Sequence, residues 1–200
     1  MYTLHSVHCK VMISWIHSID EMAGPRTYLR PQDILIALKV KALEGDSSWT
    51  QARIASEIGV SPTEVAFALE RLKTHGFMHE DKRTLKPAAL FEFLVHGLKY
   101  VFPAELGAPA RGVPTGTSIP PLKGVFRALP DQSYVWPDPE GAARGVTLAP
   151  LYESAPKAAM RDLKLYTLLG LVDAVRLGGA REVAAATQAL ERDLLGKKKL

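Results

Sequence analysis

The sequence predicts a mainly α-helical protein in which two helical parts flank an extended segment. Apolar residues make up 47% of the 200 residues, which is enough to fill a hydrophobic core. Apolar side chains recur at helical spacing between residues 31 and 101 and again after Pro156. Between these parts, residues 103–150 contain nine Pro and six Gly, a density that disfavours long helices and favours extended and turn structure.

Residues 1–26 show no clear period, and we treat them as an N-terminal extension without an assigned function. The single cysteine, Cys9, cannot form an internal disulfide, which is typical of a reducing compartment. No apolar run approaches the roughly 20 residues that cross a bilayer. We therefore expect no membrane partner and a cytoplasmic location.

The net charge of +4 is concentrated towards the C-terminal end. Residues 27–102 hold ten basic and nine acidic side chains, and residues 151–200 hold nine and six. Three of those nine are Lys197, Lys198 and Lys199, and a lysine-rich end commonly serves solubility. The charge balance alone therefore does not indicate a nucleic-acid partner.

The first helical part begins with a helix and a short second helix. Pro31 suits the first turn of a helix, and Asp33 complements the positive helix end. Thr50 is a natural N-cap for a short helix that Gly59 stops. The apolar faces of these helices are formed by Ile34, Leu35, Leu38 and Leu43 and by Ala52, Ile54, Ala55 and Ile58.

A third helix and a hairpin follow. Ser61 caps the third helix, and Glu64 stands at the spacing of a capping box. Gly76 ends this helix, and two short strand candidates around a polar turn predict a hairpin over residues 77–86. The apolar face of the helix is formed by Val65, Ala68, Leu69 and Leu72.

The remaining chain is expected to be helical, then extended, then helical. The apolar residues of a long helix, Ala88–Val101, cover so much of its circumference that we expect burial on more than one side. We interpret residues 103–150 as an arm or loop layer packed on the helices. Its segments 110–113 and 143–146 share the letters ARGV, which we interpret as coincidence because repeat folds need several stacked units. Residues 151–200 predict a helical pair with a basic tail.

The helix, short helix, tight turn, capped helix and basic hairpin between Pro31 and Lys86 are the parts of a winged helix-turn-helix. The segment QARIASEIGVS, from Gln51 to Ser61, resembles the second helix and turn of bacterial regulators of the MarR type. Residues 61–78 resemble their recognition helix and the entry to the wing. We therefore divide the chain into an extension (1–26), a winged helix-turn-helix with a long fourth helix (27–102), an arm (103–150) and a C-terminal helical pair (151–200).

This resemblance implies that the third helix lies in the major groove of DNA and that the hairpin lies near phosphates. The sequence departs from the usual pattern, because base edges are commonly read by Arg, Lys, Gln or Asn, whereas Phe67 is apolar and Glu64 and Glu70 are acidic. We therefore expect the hairpin to supply most of the contacts. The side chains expected at the DNA are Thr50, Gln51, Arg53, Ser61, Thr63, Glu64, Phe67, Arg71, Lys82, Arg83 and Lys86.

Two functions stay open at this point. The first is a DNA-binding transcriptional regulator that forms a homodimer through residues 88–101 and the C-terminal helices. The second is a winged-helix adaptor or antitoxin-like protein that binds a partner protein through residues 103–121 and can also regulate its own operon. The acidic third helix favours the second function and the basic hairpin favours the first, which we prefer.

The sequence offers little for other chemistry. It contains no phosphate-cradling glycine loop, nucleophile elbow or metalloprotease motif. His75 and His79 flank Gly76 and so do not share a helix face, and His96 lies within an apolar helix. We expect no enzymatic activity, no catalytic residue, no metal site and no cofactor.

Overall fold

A computed structural model describes residues 28–123 and 133–196, so the N-terminal extension and the lysine tail lie outside the described residues. The described part is mainly α-helical with one small sheet, and it contains no helix of the length and apolarity that crossing a membrane requires. Its helices are α1 (Pro31–Ala42), α2 (Gln51–Ile58), α3 (Pro62–Thr74), α4 (Pro87–Glu92), α5 (Leu98–Val101), α6 (Ala155–Ala159), α7 (Leu163–Leu177) and α8 (Ala180–Leu195). Its strands are β1 (Leu106–Thr115), β2 (Tyr134–Pro137) and β3 (Ala143–Leu148).

Helix α1 is the central helix of the molecule. Its side chains from Gln32 to Val40 are all buried, which requires neighbours on every side. It packs against α2 and α3 of the first helical part and against α7 of the C-terminal part. The two helical parts therefore share one hydrophobic core.

Two charges on α1 are buried against partners that lie far away in the sequence. The Asp33 carboxylate accepts hydrogen bonds of 2.6 and 2.8 Å from the Arg71 guanidinium on α3. The Lys39 ammonium pairs with Glu57 on α2 and, at 2.7 Å, with Asp162 just before α7. A buried charge without a partner is costly, so these pairs fix how α2, α3 and α7 lie around α1.

The order of elements from α1 to the hairpin follows the sequence prediction. Helix α2 ends at Gly59, whose φ of 74° lies in the left-handed region that glycine adopts readily. Ser61 starts α3 after a single intervening residue. The hairpin is closed by an antiparallel bridge between Met78 and Leu85.

The helix after the hairpin is interrupted by a π-helical turn, where the sequence predicts one continuous long helix. It runs as α4, a π-helical turn (Phe93–Gly97) and α5. Its buried positions are Leu90, Leu94, Val95 and Leu98, while Tyr100 and Val101 are 77% and 51% exposed. It packs against α7 and α8, and Phe93 also contacts Phe77 of the hairpin, while the C-terminal end of the helix is open.

Within residues 103–123 and 133–150, the Pro- and Gly-rich segment forms three strands. Strand β1 pairs antiparallel with both β2 and β3, while β2 and β3 pair in parallel, so the small sheet closes on itself. Val135 and Trp136 of β2 are buried. The first half of β1 is mostly exposed, whereas Thr115 at its end is buried.

The two ARGV segments are hydrogen-bonded neighbours in this sheet. Arg111 lies opposite Arg144, and Gly112 lies opposite Ala143. A Cβ at Gly112 would overlap the carbonyl oxygen of Trp136, and one at Gly145 would overlap that of Ser133. The glycine of each segment thus has a structural reason, since it permits a close approach of the chain over residues 133–136.

Asp173 on α7 joins the sheet to the helices. Its fully buried carboxylate accepts hydrogen bonds from Thr115 Oγ1 and Trp136 Nε1, both at 2.7 Å, and from the Arg176 guanidinium at 2.6 Å. Burial raises the pKa of Asp173, and Arg176 and the two neutral donors oppose that rise. The same guanidinium also donates to the carbonyl oxygens of Phe102, Pro103 and Ala149.

Candidate nucleic-acid interface

Helix α3 has one buried face and one open face. Val65, Ala68, Leu69 and Leu72 are buried against the core. On the opposite face Thr63 is exposed and the Phe67 side chain is 59% exposed. A large apolar side chain left open on a helix is a candidate contact for a partner molecule, although a single exposed apolar residue is also common on protein surfaces.

Ser61 and Glu64 form the helix cap that their spacing predicts. Ser61 Oγ accepts from the Glu64 N–H at 3.1 Å, and Glu64 Oε2 accepts from the Ser61 N–H at 2.8 Å. The pKa of Glu64 is lowered, chiefly by the Ser61 N–H. The carboxylate therefore acts as a helix cap, which accounts for an acidic residue at the start of this helix.

Helix α2 presents Thr50, Gln51 and Arg53 at its exposed N-terminal end. Thr50 Oγ1 accepts from the Arg53 N–H at 3.1 Å and so caps the helix. The Arg53 guanidinium pairs with Asp46 at 2.5 Å and with Glu57 at 2.8 Å. Hydrogen bonds from Ser48 and Arg53 lower the pKa of Asp46 to about 2.

Arg71 does not lie on the open face of α3, where the winged-helix arrangement would place it beside DNA. Its side chain is 11% exposed. Its guanidinium Nε and Nη2 atoms both donate hydrogen bonds to the buried Asp33 carboxylate. The pKa of Arg71 is raised, chiefly by these hydrogen bonds. Arg71 therefore holds α3 against α1 and contributes little to the open face of α3.

The hairpin carries two basic side chains that are engaged within the protein. Lys82, whose φ of 51° is unusual for a residue with a side chain, pairs with Glu70 on α3. The Arg83 guanidinium lies 4.5 Å from the centre of the Trp49 ring and donates to the carbonyl oxygens of Ser47 and Trp49 at 3.0 and 2.8 Å. Arg83 thus joins the hairpin to the loop before α2.

Two further groups shape the hairpin and the helix beside it. Asp81 accepts from the Thr84 hydroxyl and from the N–H groups of Arg83 and Thr84, and these bonds lower its pKa to about 2. Lys73 on α3 pairs with Glu70 at 2.7 Å and with Glu80 at 3.6 Å. Lys86 lies at the end of the hairpin away from its turn, where the Lys86 N–H donates to the carbonyl oxygen of Phe77.

The charge of this surface is therefore largely compensated. Arg53, Lys73 and Lys82 each face at least one carboxylate. These pairs are exposed, and exposed ion pairs contribute only about 0–1 kcal/mol of stability, so a phosphate can replace the carboxylate at small cost. The sequence showed both signs of charge here but could not show that they are paired.

Among residues 28–123 and 133–196, no three His, Cys, Asp or Glu side chains come together in a way that could hold a metal ion.

Comparison with family models, with curated proteins and with solved structures finds no match for the chain.

Proposed function

We propose that the chain is a DNA-binding transcriptional regulator of the winged helix-turn-helix type that acts as a homodimer. The observation that carries the proposal is the open face of α3, with Thr63 and Phe67 outward, standing beside a hairpin joined to it through Glu70. In this arrangement α3 enters the major groove and the hairpin lies along the phosphates. Phe67 contacts a thymine methyl group, and Lys82 and Lys86 contact phosphate.

Binding to random-sequence duplex DNA over a range of salt concentrations tests the proposal. We expect Lys82→Ala with Lys86→Ala to weaken binding and to lower the slope of log K against log salt by about two for each subunit. Phe67→Ala removes an apolar contact, so it should weaken specific binding and leave the salt slope unchanged. Arg83 is not substituted, because its guanidinium packs on the Trp49 ring and donates to the Trp49 carbonyl oxygen.

The matched control is Lys164→Ala with Arg181→Ala, which removes two exposed charges from α7 and α8. Thermal melting of each variant verifies that the fold is intact. Wild-type protein that fails to bind duplex DNA even at low salt would contradict the proposal. Equal binding by the hairpin variant and the control would contradict the role of the hairpin.

A homodimer interface would involve fewer residues than the sequence indicates, which are residues 88–101 and the C-terminal helices. Residues Leu168–Arg176 of α7 are buried inside the protomer, so this helix can join a dimer interface only at its N-terminal end, where Leu163 is 75% exposed. Tyr100 and Val101 remain exposed and apolar. We expect Tyr100→Glu to shift the mass measured by light scattering from dimer to monomer, and an unchanged mass would place the interface elsewhere.

The alternative function, binding of a partner protein, is favoured by the compensated charge of the α3 surface and by the open first half of β1. Deleting residues 106–118 would remove Thr115 from the Asp173 cluster and is therefore no test of partner binding. Leu106→Glu is a sharper change, because Leu106 is 56% exposed. Loss of a copurifying protein, with DNA binding intact, would support the alternative.

A further inference from the structure

The small sheet brings two arginines face to face. Arg111 on β1 and Arg144 on β3 are directly opposite in antiparallel register, and both are exposed. Directly opposite residues in such a pair have Cβ atoms about 4.5–5.5 Å apart and project to the same side of the sheet. The two guanidinium groups can therefore reach the same ligand.

The glycines next to these arginines determine the side to which they point. Gly112 and Gly145 face the chain of β2, since a Cβ at either position would overlap a carbonyl oxygen there. Successive residues of a strand point to opposite faces. Arg111 and Arg144 therefore point away from β2 and into solvent, and the rigid approach of the strands keeps them together.

Within the part of the chain that the structure describes, neither arginine has a carboxylate partner. Arg53, Arg71 and Arg176, by contrast, each pair with an aspartate. Asp138 lies beside this site, since its N–H donates to the Arg111 carbonyl oxygen at 3.1 Å, and its carboxylate Oδ1 accepts from the Glu140 N–H. Like charges directly opposite each other weaken a sheet, so this pair has a cost that folding does not explain.

The end of β1 beyond Arg111 is anchored in the core. Thr115 Oγ1 donates to the buried Asp173 carboxylate, and the Tyr166 hydroxyl donates to the Pro114 carbonyl oxygen at 2.8 Å. The arginines are thus carried on a fixed part of the molecule. A fixed pair of guanidinium groups loses little freedom on binding, and its forked donors match the oxygens of a phosphate.

We propose that Arg111 and Arg144 together bind a backbone phosphate of nucleic acid, at a site separate from the α3 surface. This inference rests on the proposed function, because it adds a second, sequence-independent contact to the same duplex. The contact contributes through charge and counterion release, so it changes affinity and salt dependence but not base preference.

The experiment uses a double variant that carries both Arg111→Ala and Arg144→Ala. Its binding to random-sequence duplex DNA is compared with that of the wild-type chain by fluorescence anisotropy at several salt concentrations. We expect a loss of affinity of about tenfold at low salt and a salt slope lower by about one for each subunit, because the pair binds one phosphate. The melting temperature should be unchanged or slightly raised, because the variant removes a repulsion. Arg111→Lys with Arg144→Lys should retain much of the salt slope and lose part of the affinity.

The matched control is again Lys164→Ala with Arg181→Ala, which removes the same amount of charge from other elements. If the double arginine variant binds duplex DNA with the affinity and slope of this control, the inference is overturned while the proposed function stands. If the wild-type chain does not bind duplex DNA, both are overturned. A loss confined to the arginine variant supports the inference.

Discussion

The α3 surface and the small sheet carry their positive charge in opposite ways. Basic and acidic side chains are nearly equal in number both in residues 27–102, with ten and nine, and in residues 103–150, with four and four. On the α3 surface the basic groups face carboxylates, as Arg53 faces Asp46 and Lys82 faces Glu70. In the sheet, Arg111 and Arg144 face each other. Charge counted by segment thus says little about charge that is free to meet a ligand.

The largest expected effect comes from breaking the cluster that anchors the sheet. Asp173→Ala leaves the Arg176 guanidinium buried without its carboxylate and removes the acceptor of Thr115 and Trp136. We expect the free energy of unfolding to fall by about 3–5 kcal/mol, measured by chemical denaturation. Asp193→Ala, which removes an exposed partner of Arg192, is the control. A loss below 1 kcal/mol for the Asp173 variant would contradict the anchoring role.

A somewhat smaller effect is expected between α1 and α3. Arg71→Ala leaves the Asp33 carboxylate buried without its two guanidinium hydrogen bonds, and we expect a loss of about 3 kcal/mol in the free energy of unfolding. Arg71→Lys keeps the charge but not the paired geometry, so its loss should be smaller. If Arg71→Lys changes the salt slope of DNA binding and not the stability, Arg71 belongs at the DNA after all.

The positive charge of the α3 surface can be made more accessible by removing the carboxylates that face it. Asp46→Asn combined with Glu70→Gln removes carboxylates that face Arg53, Lys73 and Lys82. Arg53 keeps Glu57 and Lys73 keeps Glu80, so Lys82 is the cation that loses its carboxylate, and we expect binding to duplex DNA to strengthen about threefold. Asp193→Asn, on α8, serves as the control. Unchanged affinity would show that these cations do not lie near the DNA.

The smallest effect is a dependence of stability on acid pH. The pKa values of Asp46 and Asp81 are both lowered from 3.8 to about 2 by hydrogen bonds to the ionised form. Because the folded pKa is below the unfolded one, the stabilisation is present above about pH 4 and is lost as the pH falls towards about 2. Asp81→Asn should make stability fall less steeply over that pH window. Denaturation midpoints measured at each pH report this stability. An unchanged slope would contradict the contribution of Asp81.

The helix starts of the first part were predictable because their signals are local. Ser61 and Glu64 stand three residues apart and form the predicted cap, and Thr50 caps α2 in the same way. The role of Arg71 was not predictable, since its partner Asp33 lies 38 residues away in the sequence. A surface charge and a buried ion pair look alike in a sequence when the partner belongs to another element.

The Pro- and Gly-rich segment shows most clearly the difference between local sequence signals and contacts between residues that are distant in the sequence. Its composition determined that it would be extended, and proline and glycine excluded long helices there. Composition did not indicate that the strands close into a sheet, that Trp136 and Thr115 reach the Asp173 carboxylate on α7, or that the two ARGV segments lie side by side. The physical reason is range: caps and turns act within a few residues, whereas strand pairing and buried charge pairs join residues that the chain must fold to bring together.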